Sequence, residues 1–291
     1  MSKIQTIRGM NDIRPQETKE WTQLEGILKS IVQSYGYDEI RFPVVEKTEL
    51  YTRSNEAADI VTKEMYTFQD KGGESISLRP EGTAGCVRAA IEGDLLRTDK
   101  PRLWYSGPMF RYERPQKGRF RQFHQFSAEV FGICSAEIDA ELILLSSRIW
   151  KELGISNDVR LEINNLGDED TRSAYSRALV EFLKDEKDTL DEDTKRKLIE
   201  NPLRILDSKS SEIQNLLNKA PKIGDFIDKQ SEDHHKKLTE ILDNMNITTL
   251  KKAVKLAKKY YKTEASGNCL LYTSDAADEG LGVDLGGRRI I

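Results

Sequence analysis

The chain has 291 residues, 37% hydrophobic and 32% charged, enough for one large core or two smaller ones and too apolar for a disordered polymer. Its 45 Lys+Arg against 49 Asp+Glu leave a net charge of −4, which excludes a globally basic nucleic-acid coat but not a local basic patch. Three cysteines without a CxxC pair (Cys86, Cys134, Cys269) argue against a disulfide scaffold and a structural zinc site. The start, MSKIQTIRGMNDIRP, lacks the apolar segment of a signal peptide, and no apolar run nears the about 18–20 residues of a membrane span. A cytoplasmic protein with no membrane partner is the expectation.

In chain order, Trp21, Leu24, Leu28, Ile31 and Tyr35 recur at helical spacing, predicting an amphipathic helix over 16–35 that Gly36 stops. Tyr37 to Glu46 reads as a strand, confined by Pro43 to an edge or an interface. Ile76 to Leu78 predicts a short strand running into Arg79-Pro80-Glu81-Gly82-Thr83, with a helix from about Ala84. Arg102 to Glu113 and Phe120 to Phe131 predict two strands joined by a loop, RPQKG. Glu137 to Leu153 predicts a helix closed by Gly154, and Val159 to Ile163 one more strand. After Gly167 the chain turns helical and highly charged. These patterns predict an α+β body over 1–166, a helical module over 167–247, and a divergent tail over 248–291, in which Leu250 to Lys262 reads as a Lys-rich helical stretch and Cys269 to Ile291 shows neither helical nor strand periodicity.

The chemistry concentrates between Met109 and Glu129. From Arg111 to Arg121 there are five cations and one carboxylate, Glu113, a local charge of +4 in an acidic chain, which points to an anionic ligand. Strand alternation puts Arg111 with Glu113, and Arg121 with Phe123, Gln125, Ser127 and Glu129. A sheet face so polar either lines a cleft or lies in solvent with cross-strand ion pairs; the pattern alone leaves both open. Glu81 and Thr83 stand at a strand-to-helix turn, where they suit either a ligand or a helix cap. No GxxxxGK[ST], GxGxxG or GxSxG motif is present, and no His, Cys and carboxylate trio has metal spacing. His124 points to the opposite strand face from Gln125, His234 and His235 read as solvated, and Cys86 as packed.

Three segments, IRGMNDIRP (Ile7 to Pro15), LRPEGTAGCVRA (Leu78 to Ala89) and GPMFRYERPQKGRFRQFHQ (Gly107 to Gln125), closely resemble bacterial-type histidine–tRNA ligase (histidyl-tRNA synthetase), a class II aminoacyl-tRNA synthetase. The resemblance runs from about Ile4 to about Ile247. Tyr37 to Tyr51 resembles the class's first motif, a dimer-interface element, and Phe110 to Glu129 its second. The resemblance implies an antiparallel sheet flanked by helices with a helical insertion, a homodimer, and ATP-dependent charging of a histidine tRNA with L-histidine through histidyl-adenylate, with ATP and Mg²⁺ as cofactors. It assigns Arg111 to catalysis, bridging the α-phosphate and the histidine carboxylate. Glu81, Gly82, Thr83, Gln125 and Glu129 join Arg111 in the histidine pocket. Glu113, Arg119 and Phe123 join Arg111 at ATP, and Arg114 and Gln116 approach the tRNA.

The family continues with a second histidine-site segment resembling LVRGLDYYNRT, a third motif with an ATP-binding arginine, and an anticodon-binding domain. Here only Tyr260, Tyr261 and Thr263 echo the former, and Arg288 and Arg289 stand in no third motif. The expectation is a truncated or frame-disrupted chain of impaired activity. Two alternatives stay open: a catalytically silent regulatory subunit of ATP phosphoribosyltransferase, and an inactive dimerising fragment. The intact RPQKGRFRQF loop favours the ligase.

Overall fold

A computed structural model describes residues 4–53, 64–97, 100–115, 118–159, 161, 163–184, 190–208, 210–245 and 247. The first helix, α1 (Pro15–Ser34), starts on a proline whose missing N–H costs nothing there, and the Arg14 N–H donates to the Glu17 carboxylate at 2.9 Å. Ile31 and Val32 are its buried residues, and Gly36, at φ +78°, turns the chain out of the helix.

The single strand expected over 37–46 is two. β1 (Asp38–Glu39) pairs parallel with β5 (Arg102–Phe110), and β2 (Val45–Lys47) pairs antiparallel with β4 (Ser75–Leu78) in a different sheet. Pro43, with no N–H for a ladder, sits in the crossing between them. The short helix α2 (Glu49–Thr52) follows β2, and β3 (Thr67–Gln69) closes the small sheet in the order β2-β4-β3. In the larger sheet, β1-β5-β6, β5 and β6 (Gln122–Val130) run antiparallel from Arg102↔Val130 to Phe110↔Gln122.

That register sorts the two faces. Trp104, Phe126, Ala128 and Val130 pack against α1 and α4 (Ala136–Glu152). Leu103, Tyr105 and Met109 pack against Cys86 and Ala90 of α3 (Thr83–Glu92). Mid-helix Gly85 lets α3 approach: a Cβ there would lie 2.6 Å from the Phe42 ring.

Val159, Leu161 and Ile163 form no strand. Leu161 instead packs with Ala136, Ala140 and Ile143 of α4 and with Leu238 and Leu242 of α8 (Lys229–Asn244). His234 and His235 are not solvated either; His234 Nε2 lies 2.6 Å from Asp139 Oδ2, tying α8 to α4. Between them come α5 (Glu169–Lys184), α6 (Glu192–Glu200) and α7 (Ser211–Leu217), which share a core of Leu179, Leu183, Leu198, Ile205, Ile213 and Leu217. The fold is α+β, two small sheets flanked by helices, as expected. No described helix is long and apolar enough to cross a membrane. The tail over 248–291, with Tyr260, Tyr261, Thr263, Arg288 and Arg289, lies outside the described residues.

Helix propensity favours Gly85→Ala by about 1 kcal/mol, but the crowding against Phe42 opposes it. Overpacking at this contact wins, and the variant loses about 1–3 kcal/mol of stability, measured by urea unfolding against the parent chain.

Candidate functional site

The turn between β4 and α3 carries Arg79-Pro80-Glu81-Gly82-Thr83. The Glu81 carboxylate accepts the Thr83 N–H at 2.5 Å and the Ala84 N–H at 2.8 Å, so it caps the first turn of α3. Gly82 is dictated by its neighbour: a Cβ would fall 2.1 Å from Tyr105 Cε2. Thr83 is thereby free to turn its hydroxyl to the sheet, where Oγ1 donates to Glu129 Oε1 at 2.7 Å. Tyr105 closes the triangle. Its hydroxyl donates to the same Glu129 oxygen at 3.3 Å and lies 3.2 Å from Thr83 Oγ1. Burial, then the Glu129 and Glu81 charges, hold the Tyr105 phenol well above its ordinary range, so it stays a donor.

Strand register places the rest. Gln125, 8% exposed, stands opposite Gly107, and Phe123 opposite Met109. Arg111, one residue past β5, is 0% exposed, the largest fully buried side chain of the described residues. Its backbone N–H donates to the Arg121 carbonyl at 2.9 Å, its Nε donates to the Pro80 carbonyl at 2.9 Å, and its guanidinium lies 5.2 Å from the Phe123 ring centroid. A guanidinium in such a place needs carbonyl dipoles and an aromatic face in exchange for water.

The described residues beside the hairpin tip pair their own charges. The Glu113 carboxylate, 4% exposed, pairs with Arg119 Nε at 3.0 Å. Arg121 Nε donates to the Glu113 carbonyl at 3.0 Å, and its guanidinium stacks 4.0 Å from the Tyr112 ring centroid. Gly9 braces the hairpin from outside, its carbonyl accepting the Arg121 and Gln122 N–H groups at 2.8 and 3.1 Å. Arg114 is exposed, and Gln116 lies outside the described residues.

Glu81 and Thr83 of the α3 turn and Arg111, Phe123, Gln125 and Glu129 of the hairpin therefore belong to the α3-facing side of β5 and β6, Glu129 linked to Thr83 and Arg111 to Pro80, with Glu113 and Arg119 at the hairpin end. His124 is on the other face, its ring centroid 4.6 Å from that of Trp21 in a tilted contact. A cavity of about 500 Å³, lined by Trp104, Ser106 and His124, borders this constellation through Arg79 and Tyr105 but includes none of Glu81, Thr83, Arg111, Gln125 or Glu129. Two residues of the constellation escape sequence reasoning. Tyr105 reads as an ordinary strand aromatic, and Arg79 as a turn cation. Alternation from Arg111 could have found Tyr105, six residues back on the same face; nothing local marks Arg79. Among the described residues no group of three or more His, Cys, Asp or Glu side chains is placed to hold a metal ion.

The sequence model of the histidyl-tRNA synthetase family matches residues 9–167. Among solved structures, apo histidyl-tRNA synthetase of S. aureus is 34% identical with a TM-score of 0.68, over 85% of this chain and 56% of that one. An ATP phosphoribosyltransferase regulatory subunit/histidyl-tRNA synthetase from Bacillus halodurans is 20% identical with a TM-score of 0.57, over 85% and 66%. A histidine–tRNA ligase subunit from Alicyclobacillus acidocaldarius is 18% identical with a TM-score of 0.51, over 85% and 78%. The last two likenesses show the fold alone. This chain spans little more than half the length of the S. aureus protein.

Cys86 lies in the floor of the constellation at 0% exposure, and burial pushes its thiol up to about 12, with the Glu129 and Glu81 charges adding to the shift. Cys134 is exposed. In a Cys269→Ser background, Ellman's reagent titrates Cys134 quickly in the native chain and Cys86 only after denaturation. Equal rates for the two thiols would contradict the buried floor.

Proposed function

The chain belongs to the histidyl-tRNA synthetase family, and from that premise we propose that it binds L-histidine and ATP on the α3-facing side of β5 and β6 and joins them as histidyl-adenylate. The observation that supports this reading is a fully buried Arg111, its Nε held by the Pro80 carbonyl next to Glu81, at the end of the hairpin whose α3-facing side carries Gln125 and Glu129.

Adenylation sets two anions against each other. A carboxylate oxygen of histidine forms a bond to the α-phosphorus of ATP, and pyrophosphate departs with the electrons of the broken P–O bond. A guanidinium fork reaches both reactants and lies in the plane of the developing charge. With Nε held by the Pro80 carbonyl, the Arg111 terminal nitrogens are oriented before substrate arrives, and catalysis by positioning and charge needs no covalent enzyme intermediate. Glu129, fixed by Thr83 and Tyr105, accepts an imidazole N–H, while Glu81, Gly82, Thr83 and Gln125 surround the amino-acid end. Phe123 offers its ring to adenine, Glu113 reads the adenine side, and Arg119 meets the outer phosphates. Mg²⁺ enters with the ATP phosphates, as part of the substrate.

The histidyl group then passes to a ribose hydroxyl at the 3′ end of a histidine tRNA, with AMP leaving. Arg114 and Gln116 approach that RNA end. The first-motif region, 37–51, serves a homodimer, and the chain works in the cytoplasm. The regulatory-subunit reading lacks a comparable observation, because a subunit without a tRNA has no use for the basic loop of 111–121.

Calorimetric titration tests the site directly. Histidine and Mg·ATP bind the parent chain, and Arg111→Ala weakens both by at least about tenfold, the size expected when a charged hydrogen-bond partner is removed. Histidine-dependent pyrophosphate exchange, where the parent shows it, disappears in the same variant. Unchanged affinities in Arg111→Ala would reject the assignment.

A further inference from the structure

Arg79 is a second buried arginine, 6% exposed, three hydrogen bonds deep in the backbone. Its Nε donates to the Pro108 carbonyl at 2.9 Å, and its Nη1 to the Phe42 carbonyl at 3.1 Å and the Pro43 carbonyl at 3.5 Å. The guanidinium carbon lies 5.1 Å from the Phe42 ring centroid. Nη2 fills the space left by Gly107, where a Cβ would approach it to 2.5 Å. The backbone of the same residue is also spoken for. Its N–H donates to the Val44 carbonyl at 2.9 Å, and its carbonyl accepts the Phe110 N–H at 3.0 Å.

One residue thus ties together the 42–44 crossing, the end of β5 and the turn into α3. Phe110 precedes Arg111, and Pro80, whose carbonyl holds Arg111 Nε, follows Arg79. The two arginines are linked by two hydrogen bonds between 79–80 and 110–111, one backbone bond from Phe110 to Arg79 and one from the Arg111 side chain to Pro80. Burial draws the Arg79 guanidinium below its ordinary range, so a cation here is costly and a neutral residue of equal bulk would pack more cheaply. The fork geometry, reaching three carbonyls at once, is what only arginine supplies.

We propose that Arg79 is a positioning residue for Arg111: it sets the Pro80 carbonyl where Arg111 requires it, and so prepares the anion clamp while touching neither reactant. This role in substrate capture rests on the ligase reading above, while the geometric link between the two arginines does not.

The test uses the full chain and Arg79→Lys, which keeps the charge and loses the fork. Hydrogen exchange at guanidinium N–H groups is read by NMR, with the Arg111 signal assigned by its loss in Arg111→Lys. Arg102, on the opposite face of β5 and paired with Glu141, is the internal control. Arg111 Nε–H is expected to exchange about tenfold faster in Arg79→Lys, with Arg102 within about twofold of the parent. Equal loosening of both arginines means general destabilisation and overturns the proposal, as does an unchanged Arg111. If Arg79→Lys gives no cooperative melt, Gly107→Ala, which presses on Nη2 alone, is expected to give the same selective signature. Mg·ATP affinity is expected to fall about tenfold with the loosened Arg111. An unchanged affinity beside a loosened Arg111 overturns the role in capture. A parent that binds no nucleotide removes the ligase reading and leaves the exchange comparison to decide the link.

Discussion

A guanidinium with no exposure to solvent is the constraint around which this site is built. Desolvating a cation costs several kcal/mol unless dipoles or counter-charges replace the lost water. For Arg111 the Pro80 carbonyl and the Phe123 ring are part of that replacement. Both must be in place before the side chain can be buried, so the turn from β4 into α3 and the pairing of β5 with β6 have to be correct together. Neither element is independent of the other in a fold that hides this charge.

The glycines of the region follow from the same demand. Gly82 lets Tyr105 pass beneath the turn, and Gly107 leaves room for the Arg79 guanidinium. Glu81 is occupied in capping α3 and Thr83 in steering Glu129, so the residues that shape the turn also bear the polar groups of the face. On the other face of the same strands Trp104, Phe126, Ala128 and Val130 pack on α1 and α4. A sheet that packs apolar side chains on both faces needs cover on both, and α3 supplies the second over Leu103, Tyr105 and Met109.

Membership of the histidyl-tRNA synthetase family fits this division of labour. The part of the family's architecture present here contains the strands and turn that assemble the arginine, the carboxylates and the aromatic ring. The matched S. aureus protein is considerably longer, this chain spanning 56% of it.

Much of the fold could be read without coordinates, because amphipathic periodicity is a local property. The helices near 15–34 and 136–152 and the strands 102–110 and 122–130 fall within a few residues of where the alternation of apolar groups puts them. Alternation also placed Phe123, Gln125 and Glu129 on one face. Other features depended on partners far along the chain. Nothing local says that 37–46 divides between two sheets, since that turns on Trp104 and Leu78 as neighbours. Val159 to Ile163 has strand-like residues, but α8 takes up their apolar surface before any strand can. Likewise a His-His pair on a charged helix looks solvated until Asp139 arrives from 95 positions away. The sequence by itself determined which residues could share a face and which motifs resemble a known ligase. Only tertiary structure decided which face was buried, that Tyr105 completes the Glu129 triangle, and that Arg79 braces Arg111, because burial and hydrogen-bond partnership are set by strand register and the docking of α3.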